Sequence, residues 1–415
     1  MKCTSPLSAV TLAVLVLGAD AFAAPPPPSP PPPHTAVRHH PAPDDAPPPA
    51  QASFGAPLPG LSSAEMQRFR AGLDEFNNVE TPQSGLGPIF NGPSCVACHG
   101  SPAAGGAGLF LATRFGRQDA NGFDPLTDLG GSLQQLRAIA PAALEVVPPQ
   151  ANVTAKRQSP PLYGFGLIEA IPDAEIVANA QRPQPDGIHG LPSEVADRVG
   201  GGTRIGRFGW KAQIATLLEF AGDAYVNEMG ITNRLFPEEN APNGNKALLA
   251  QFDHVADPED TVDPATGEAD IDVVADFMRL LAPPPRLPES REAHDGERVF
   301  ADTGCAACHT PVMQTGPSPI AALDHKPAAL YSDLLLHDMG AEGDGIAQAF
   351  AAQTEMRTAP LWGLRASAPY LHDGSAPDVD RAIRAHDGEA RVVRDRYVAL
   401  SDRDRHDLLA FLATL

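Results

Sequence analysis

Cysteine is scarce in this chain, five in 415 residues, and one of the five, Cys3, lies ahead of the first apolar run. Basic charge is also short: 30 Lys and Arg stand against 51 Asp and Glu, a formal net charge of -21. That balance argues against nucleic acid and anionic membrane surfaces, and it would steer basic partners toward the protein as well as keep it soluble. Long hydrophobic runs are missing. The longest near the start, Val10 to Leu17, is too short to span a bilayer, and no later stretch could span one. With Lys2 before it and small residues at Ala21 and Ala23, it has the form of a secretory signal cut after Ala23. The mature chain is expected to be periplasmic or otherwise exported, without stable membrane insertion.

Proline, by contrast, is abundant at 45 residues, and much of it lies between Pro25 and Pro59. Such a run favours extended polyproline II and buries little, so residues 24–60 read as a disordered tether. The remaining length suits two globular units. A proline cluster at Ala282 to Ser290, "APPPRLPES", marks the boundary, giving units 61–285 and 286–415 after a signal peptide at 1–23.

Once Cys3 leaves with the signal, four cysteines remain, and they fall into two identical patterns. "CVACH" spans Cys95, Cys98 and His99; "CAACH" spans Cys305, Cys308 and His309. In an exported protein an even cysteine count ordinarily suggests disulfides. Here the C-x-x-C-H form points instead to c-type haem, because two thiols can add to the porphyrin vinyl groups while the adjacent histidine is delivered to the iron. A zinc site would bring its two C-x-x-C pairs close in sequence, and a thioredoxin-like pair gives no reason for the histidine. Two covalently attached haems are the expected cofactors.

A longer repeat surrounds these motifs. "RQSPPLYGFG" (157–166) follows the first and "RTAPLWGL" (357–364) the second, each an R-x-x-P step leading to an aromatic and a glycine. Each is followed by a helix-like segment ending near a possible iron ligand: "LLEFAGDAYVNEM" at Met229 and "DVDRAIRAH" at His386. Apolar residues recur at three- and four-residue steps in "SAEMQRFRAGLDEF", "EADIDVVADFMRLL", "REAHDGERVFADTG" and "DRDRHDLLAFLATL", and no run alternates as a strand. The expected fold is mainly α: two tandem cytochrome c-like haem domains behind the signal peptide and the tether.

These residues carry a family resemblance. "APYLHDGSAPDVDRAIRAH" resembles the C-terminal haem-binding stretch of bacterial dihaem cytochrome c peroxidases and MauG-type enzymes. "FGWKAQIATLLEFAGDAYVNEMG" is similar to their segment bearing an inter-haem tryptophan and a catalytic glutamate, and "LYSDLLLHDMG" resembles a further block. The overall likeness, from about Gly60 onward, is to the dihaem oxidoreductase (thiol oxidoreductase-like) family.

The resemblance implies roles residue by residue. His386 stands where the peroxidases keep the sixth ligand of the second haem, usually methionine, which implies His309 and His386 on its two faces and a lowered potential. Trp210 matches the inter-haem tryptophan, able to relay an electron or briefly hold a hole, while Trp362 reads as core. His372 reads as a residue behind the ligands, and His337 and Met339 as weaker ligand candidates. No histidine occurs from Gly100 to Ile188, so the peroxidases' distal histidine has no counterpart there; His189 lies in an inserted loop. The position opposite His99 is then open, with Glu228 as catalytic acid and base, or filled by Met229. The function implied is peroxidase-like, with hydrogen peroxide as the small oxidant at the first haem and a redox protein as electron donor or acceptor. A pure electron-transfer cytochrome and a thiol or protein side-chain oxidase are the alternatives.

Overall fold

In both halves a serine starts the helix that leads to the C-x-x-C-H motif. Ser62 caps helix Ser63–Asn77 in a capping box with Glu65, and Ser290 caps helix Arg291–Thr303, which Gly304 ends at φ 104°. The computed structural model describes residues 53–255, 261–264 and 266–415. The segment expected to be a signal peptide and most of the expected tether, with Cys3, lie outside the described residues.

Each of these two helices crosses a later one at a glycine. Helix Ser63–Asn77 packs on Asp270–Leu280, and a Cβ added at Gly72 would stand 2.3 Å from the Val273 carbonyl oxygen. Helix Arg291–Thr303 packs on Asp402–Leu412, and a Cβ at Gly296 would stand 1.9 Å from the Asp407 carbonyl oxygen. Neither backbone can yield without moving a whole helix. Gly296→Ala is therefore expected to destabilise the fold by about 1–3 kcal/mol or more, read as a lowered thermal midpoint at unchanged haem content.

Helix outweighs strand among the described residues, 36% to 15%, as the apolar periodicity predicts. The absence of strands does not hold, however. Strand Leu111–Asp119 pairs antiparallel with Val153–Gln158 in register from Leu111 opposite Gln158 to Gly116 opposite Val153, and short strands Gly122–Asp124 and Leu133–Gln134 complete a four-stranded sheet. The run escapes a periodicity reading because both faces mix residue types: Thr113, Phe115 and Arg117 on one, Ala112, Arg114 and Gly116 on the other. This sheet delivers the first R-x-x-P step, since the second of its paired strands ends at Gln158.

The largest apolar core draws on both sides of residue 285, from Phe69 and Phe277 to Leu335 and Trp362. A second cluster, Phe300, Tyr331, Tyr397, Leu408 and Phe411, lies behind the CAACH motif. Among the described residues no helix is long and apolar enough to cross a membrane.

Candidate two-haem site

Both pentapeptides fold as a single tight turn. Cys95–Ala97 and Cys305–Ala307 are 3-10 turns, and in each the histidine N–H reaches back to the first cysteine's carbonyl, at 2.9 Å for His99 to Cys95 and 2.9 Å for His309 to Cys305. No disulfide joins these four cysteines. Burial pushes Cys95 and Cys305 up to about 12, and burial together with the Glu228 charge pushes Cys98 to about 11.

Three histidines are prepared alike. Nδ1 of His309 lies 2.9 Å from the Tyr331 carbonyl oxygen, Nδ1 of His386 lies 2.8 Å from that of Ala382, and Nδ1 of His99 lies 3.3 Å from that of Gly106. A carbonyl only accepts, so each Nδ1 carries the proton and each Nε2 keeps its lone pair for a metal. Burial lowers all three, His99 and His309 to about 4, so the rings are neutral at pH 7.

His309 and His386 face each other across an apolar-walled cavity of about 290 Å³ whose lining includes Cys305, Cys308, Leu361, Tyr370 and Ile383. Their ring centroids are 6.5 Å apart. Two imidazoles trans on one metal, with bonds of about 2.0–2.1 Å, hold their centroids roughly 6.3 Å apart. The residues of the second motif thus fit a haem that Cys305, Cys308, His309 and His386 would hold. His386 reaches this place because Asp378 caps helix Val379–Ala385 and the chain turns extended at His386.

His337 is not placed to ligate. Its Nε2 is 3.0 Å from Asp333 Oδ2 and its Nδ1 is 2.9 Å from Glu389 Oε2, so both nitrogens are committed to carboxylates. Burial opposes its charge, but the bonds to Asp333, Cys308 and Glu389 overcome that and raise it to about 12. Met339 lines the cavity. His189 is exposed, with its backbone N–H on Glu389, beside the second motif and not the first.

At the first motif the helix Leu217–Ala224, capped by Thr216, opens into a π-turn over Tyr225–Met229 that Gly230 closes at φ 68°. Such turns are rare and recur at functional sites. Asn91, 1% exposed, grips this turn: its backbone N–H donates to the Glu228 carbonyl at 2.7 Å and its Nδ2 to Glu228 Oε2 at 2.8 Å. Its own Oδ1 accepts from the Leu136 N–H at 2.9 Å. Next to it, a Cβ at Gly92 would stand 3.6 Å from Cys98 Sγ, which puts the Glu228 turn against the CVACH motif. Burial raises the Glu228 carboxyl, partly offset by Asn91 and Arg114. The π-turn sends its neighbour elsewhere: Met229, 4% exposed, belongs to the apolar core.

Two residues of this cluster escaped the sequence reading. Asp223, five before Glu228, accepts from Asn227 Nδ2 at 2.9 Å, and burial, opposed by Arg114 and reinforced by Glu228, lifts it to about 6. Arg114 comes from the central strand, its Nη1 3.3 Å from Ser132 Oγ and its Nε buried without a partner. Asp223 shares a sequence segment with Glu228, but nothing local pointed to Arg114.

Trp210 stands on the wall of the cavity between His309 and His386. Its Nε1–H donates to the Gln158 carbonyl at 2.9 Å, and its ring meets His372 edge-on at 6.4 Å. Gln158 to Pro160 also line that cavity, while Ser159 bonds the Cys98 thiol and the Pro160 carbonyl accepts from His99. One three-residue segment therefore bonds the first motif and lines the cavity of the second, and Trp210 is bonded to it. Trp362 is 7% exposed, within the core.

A family model described as "Di-haem oxidoreductase, putative peroxidase" matches residues 150–415. The chain belongs to this di-haem oxidoreductase family. The matched part holds Trp210, Glu228, the CAACH motif and His386 of this di-haem oxidoreductase, and the CVACH motif lies ahead of it. No curated protein matches the chain. Among solved structures it is similar to a MauG-like protein associated with microbial copper homeostasis, at 16% identity over 90% of this chain and 94% of that one, TM-score 0.39. A dihaem peroxidase from Burkholderia thailandensis matches at 15% identity over 88% and 87%, TM-score 0.40. Hydrazine synthase from Kuenenia stuttgartiensis matches at 15% over 86% and 88%, TM-score 0.40.

Proposed function

We propose that this di-haem oxidoreductase is an exported, two-domain c-type protein that reduces a small oxidant, hydrogen peroxide, at its first haem and exchanges electrons with a redox protein through its second. The observation that carries the reading is the difference between the two sites. The second brings two neutral histidines to 6.5 Å, ring centroid to ring centroid, whereas the first offers His99 and, beside Cys98, a carboxylate held by Asn91. Haem bound covalently at Cys95 and Cys98 and at Cys305 and Cys308 would supply the one-electron redox chemistry.

The chain's own groups do the rest. Asn91 fixes Oε2 of Glu228, which leaves Oε1 to take a proton from peroxide and return it to the departing oxygen. The raised carboxyl pKa suits that exchange. Arg114 and Asp223 set the local charge. Gln158 to Pro160 and Trp210 form the bridge between the sites. Met229 as an axial ligand would close the first site and make the protein an electron carrier; its place in the apolar core favours packing.

The direct test begins with holoprotein matured by c-type assembly machinery. A pyridine haemochrome assay is expected to give two haems per chain that resist acid extraction. Peroxide should then oxidise the reduced protein in a reaction that turns over with an added electron donor. Two low-spin haems with no peroxide reaction would leave only the carrier.

A further inference from the structure

The chain has five tyrosines, and their phenol hydrogens go to two kinds of acceptor. Tyr163 and Tyr370 donate to backbone carbonyls, those of Ala103 at 3.5 Å and Leu364 at 3.1 Å. A carbonyl accepts the hydrogen bond but does not take the proton. The other three donate to carboxylates: Tyr331 to Glu297 Oε1 at 3.1 Å, Tyr397 to Asp380 Oδ1 at 2.5 Å and Tyr225 to Glu75 Oε1 at 3.0 Å. At that reach a carboxylate serves as a base.

Charge then separates these three. Arg286 Nη1 donates to the Tyr331 oxygen at 3.2 Å, and the guanidinium groups of Arg384 and Arg405 lie 5.5 and 5.9 Å from the Tyr397 ring centroid. A cation at the oxygen or over the ring opposes the removal of an electron. The side-chain carboxylates that act on Tyr225, Glu75 and Asp270, have the opposite sign and favour it.

Tyr225 also has the right place. It is 2% exposed and opens the π-turn that ends at Glu228 and Met229. The turn spans the first pentapeptide, with Tyr225 interacting with Cys95 and Glu228 with Cys98, and Cys95 packs against the apolar cluster that holds Tyr225. Glu75 is half-buried in the last turn of helix Ser63–Asn77, and its charge acts on Cys95 as well. Burial raises the Glu75 carboxyl, and burial with the Glu75 and Glu80 charges lifts Asp270 to about 6. Burial, reinforced by Cys95 and Glu75, holds the Tyr225 phenol well above its ordinary range, so it keeps its proton until an electron leaves.

We propose that Tyr225 is a proton-coupled electron donor to the first site, with Glu75 as the acceptor of its phenol proton. Hydrogen peroxide takes two electrons, and two protons from solvent, to become two waters. When the second site has no electron to give, the first site supplies one electron and Tyr225 the other. The phenol O–H bond breaks, its proton passes to Glu75 Oε1, and a neutral phenoxyl radical stays on Tyr225. An electron from the redox partner and the proton from Glu75 restore the phenol. The inference rests on the peroxide reading of the first site.

The test mixes oxidised holoprotein with hydrogen peroxide, follows the haem absorbance, and examines samples frozen within milliseconds by electron paramagnetic resonance. The parent is expected to give a tyrosyl radical whose hyperfine pattern collapses in protein grown on ring-deuterated tyrosine. Tyr225→Phe should lose that signal, and Tyr331→Phe should keep it. An absorbance change with no tyrosyl radical, or a radical that survives Tyr225→Phe, overturns the proposal. Glu75→Gln keeps the shape and the hydrogen bond but takes no proton. Its radical yield at a fixed freezing time is expected to fall about tenfold or more, since a positioned base contributes roughly 10²–10⁴ in rate. A yield equal to the parent's overturns the pairing with Glu75. If Tyr225→Phe does not fold, Glu75→Gln with ring-deuterated tyrosine decides. If peroxide leaves the absorbance unchanged, the peroxide reading alone has failed. A flash-generated ruthenium(III) polypyridyl oxidant then takes the electron in its place, with the same expected and overturning results.

Discussion

Glu228→Gln is expected to lower the second-order rate of peroxide reaction by about 10²–10⁴-fold, the usual contribution of a positioned acid and base. Glutamine keeps the shape and can still bond Asn91, but it cannot take and return a proton. The resting spectrum should stay nearly unchanged, because the side chain that is altered is not asked to hold iron. In the parent, burial raises the Glu228 carboxyl. The active form is the base, so the rate should climb with pH through an inflection above the ordinary glutamate range, and the glutamine variant should lack that inflection. Stopped-flow mixing with peroxide across pH reads both. A glutamine variant as fast as the parent would remove the acid and base role. Met229→Leu is the companion measurement: if the sulfur is only part of the core, the first haem keeps its spin state, and a low-spin to high-spin change would instead reveal a bound thioether.

His386→Met carries the second large effect. Imidazole donates more strongly than thioether and stabilises the ferric state, so the substitution is expected to raise the second haem's potential by on the order of 0.1 V, within the ~0.8 V span that axial ligation commands. Haem content should remain two, because Cys305, Cys308 and His309 are untouched. Spectroelectrochemical titration separates the outcomes. A shift confined to one haem supports the His309 and His386 pair, and no shift in either would take His386 out of the ligand set. The geometry already favours the pair, with Nδ1 of each ring turned away to a backbone carbonyl.

The sequence alone was enough for the features that are local in the chain. Both attachment turns, the helices that lead into them, the mainly helical character and the family were legible there, since a C-x-x-C-H pentapeptide and an apolar stripe each span only a few residues. His386 was legible as a candidate for the same reason, at the end of a capped helix. Tertiary structure alone decided how these pieces meet. It committed His337 to Asp333 and Glu389, 4 and 52 residues away. It also put Asn91 on Glu228 across 137 residues. The sheet around Leu111–Asp119 was hidden because its two faces carry no alternation, and Arg114 was hidden with it. Glu228 and Met229 adjoin in sequence, and nothing in the sequence separates a carboxylate from a thioether one residue away. The π-turn separates them, by widening the helix just where Asn91 offers hydrogen bonds to one and the apolar core receives the other.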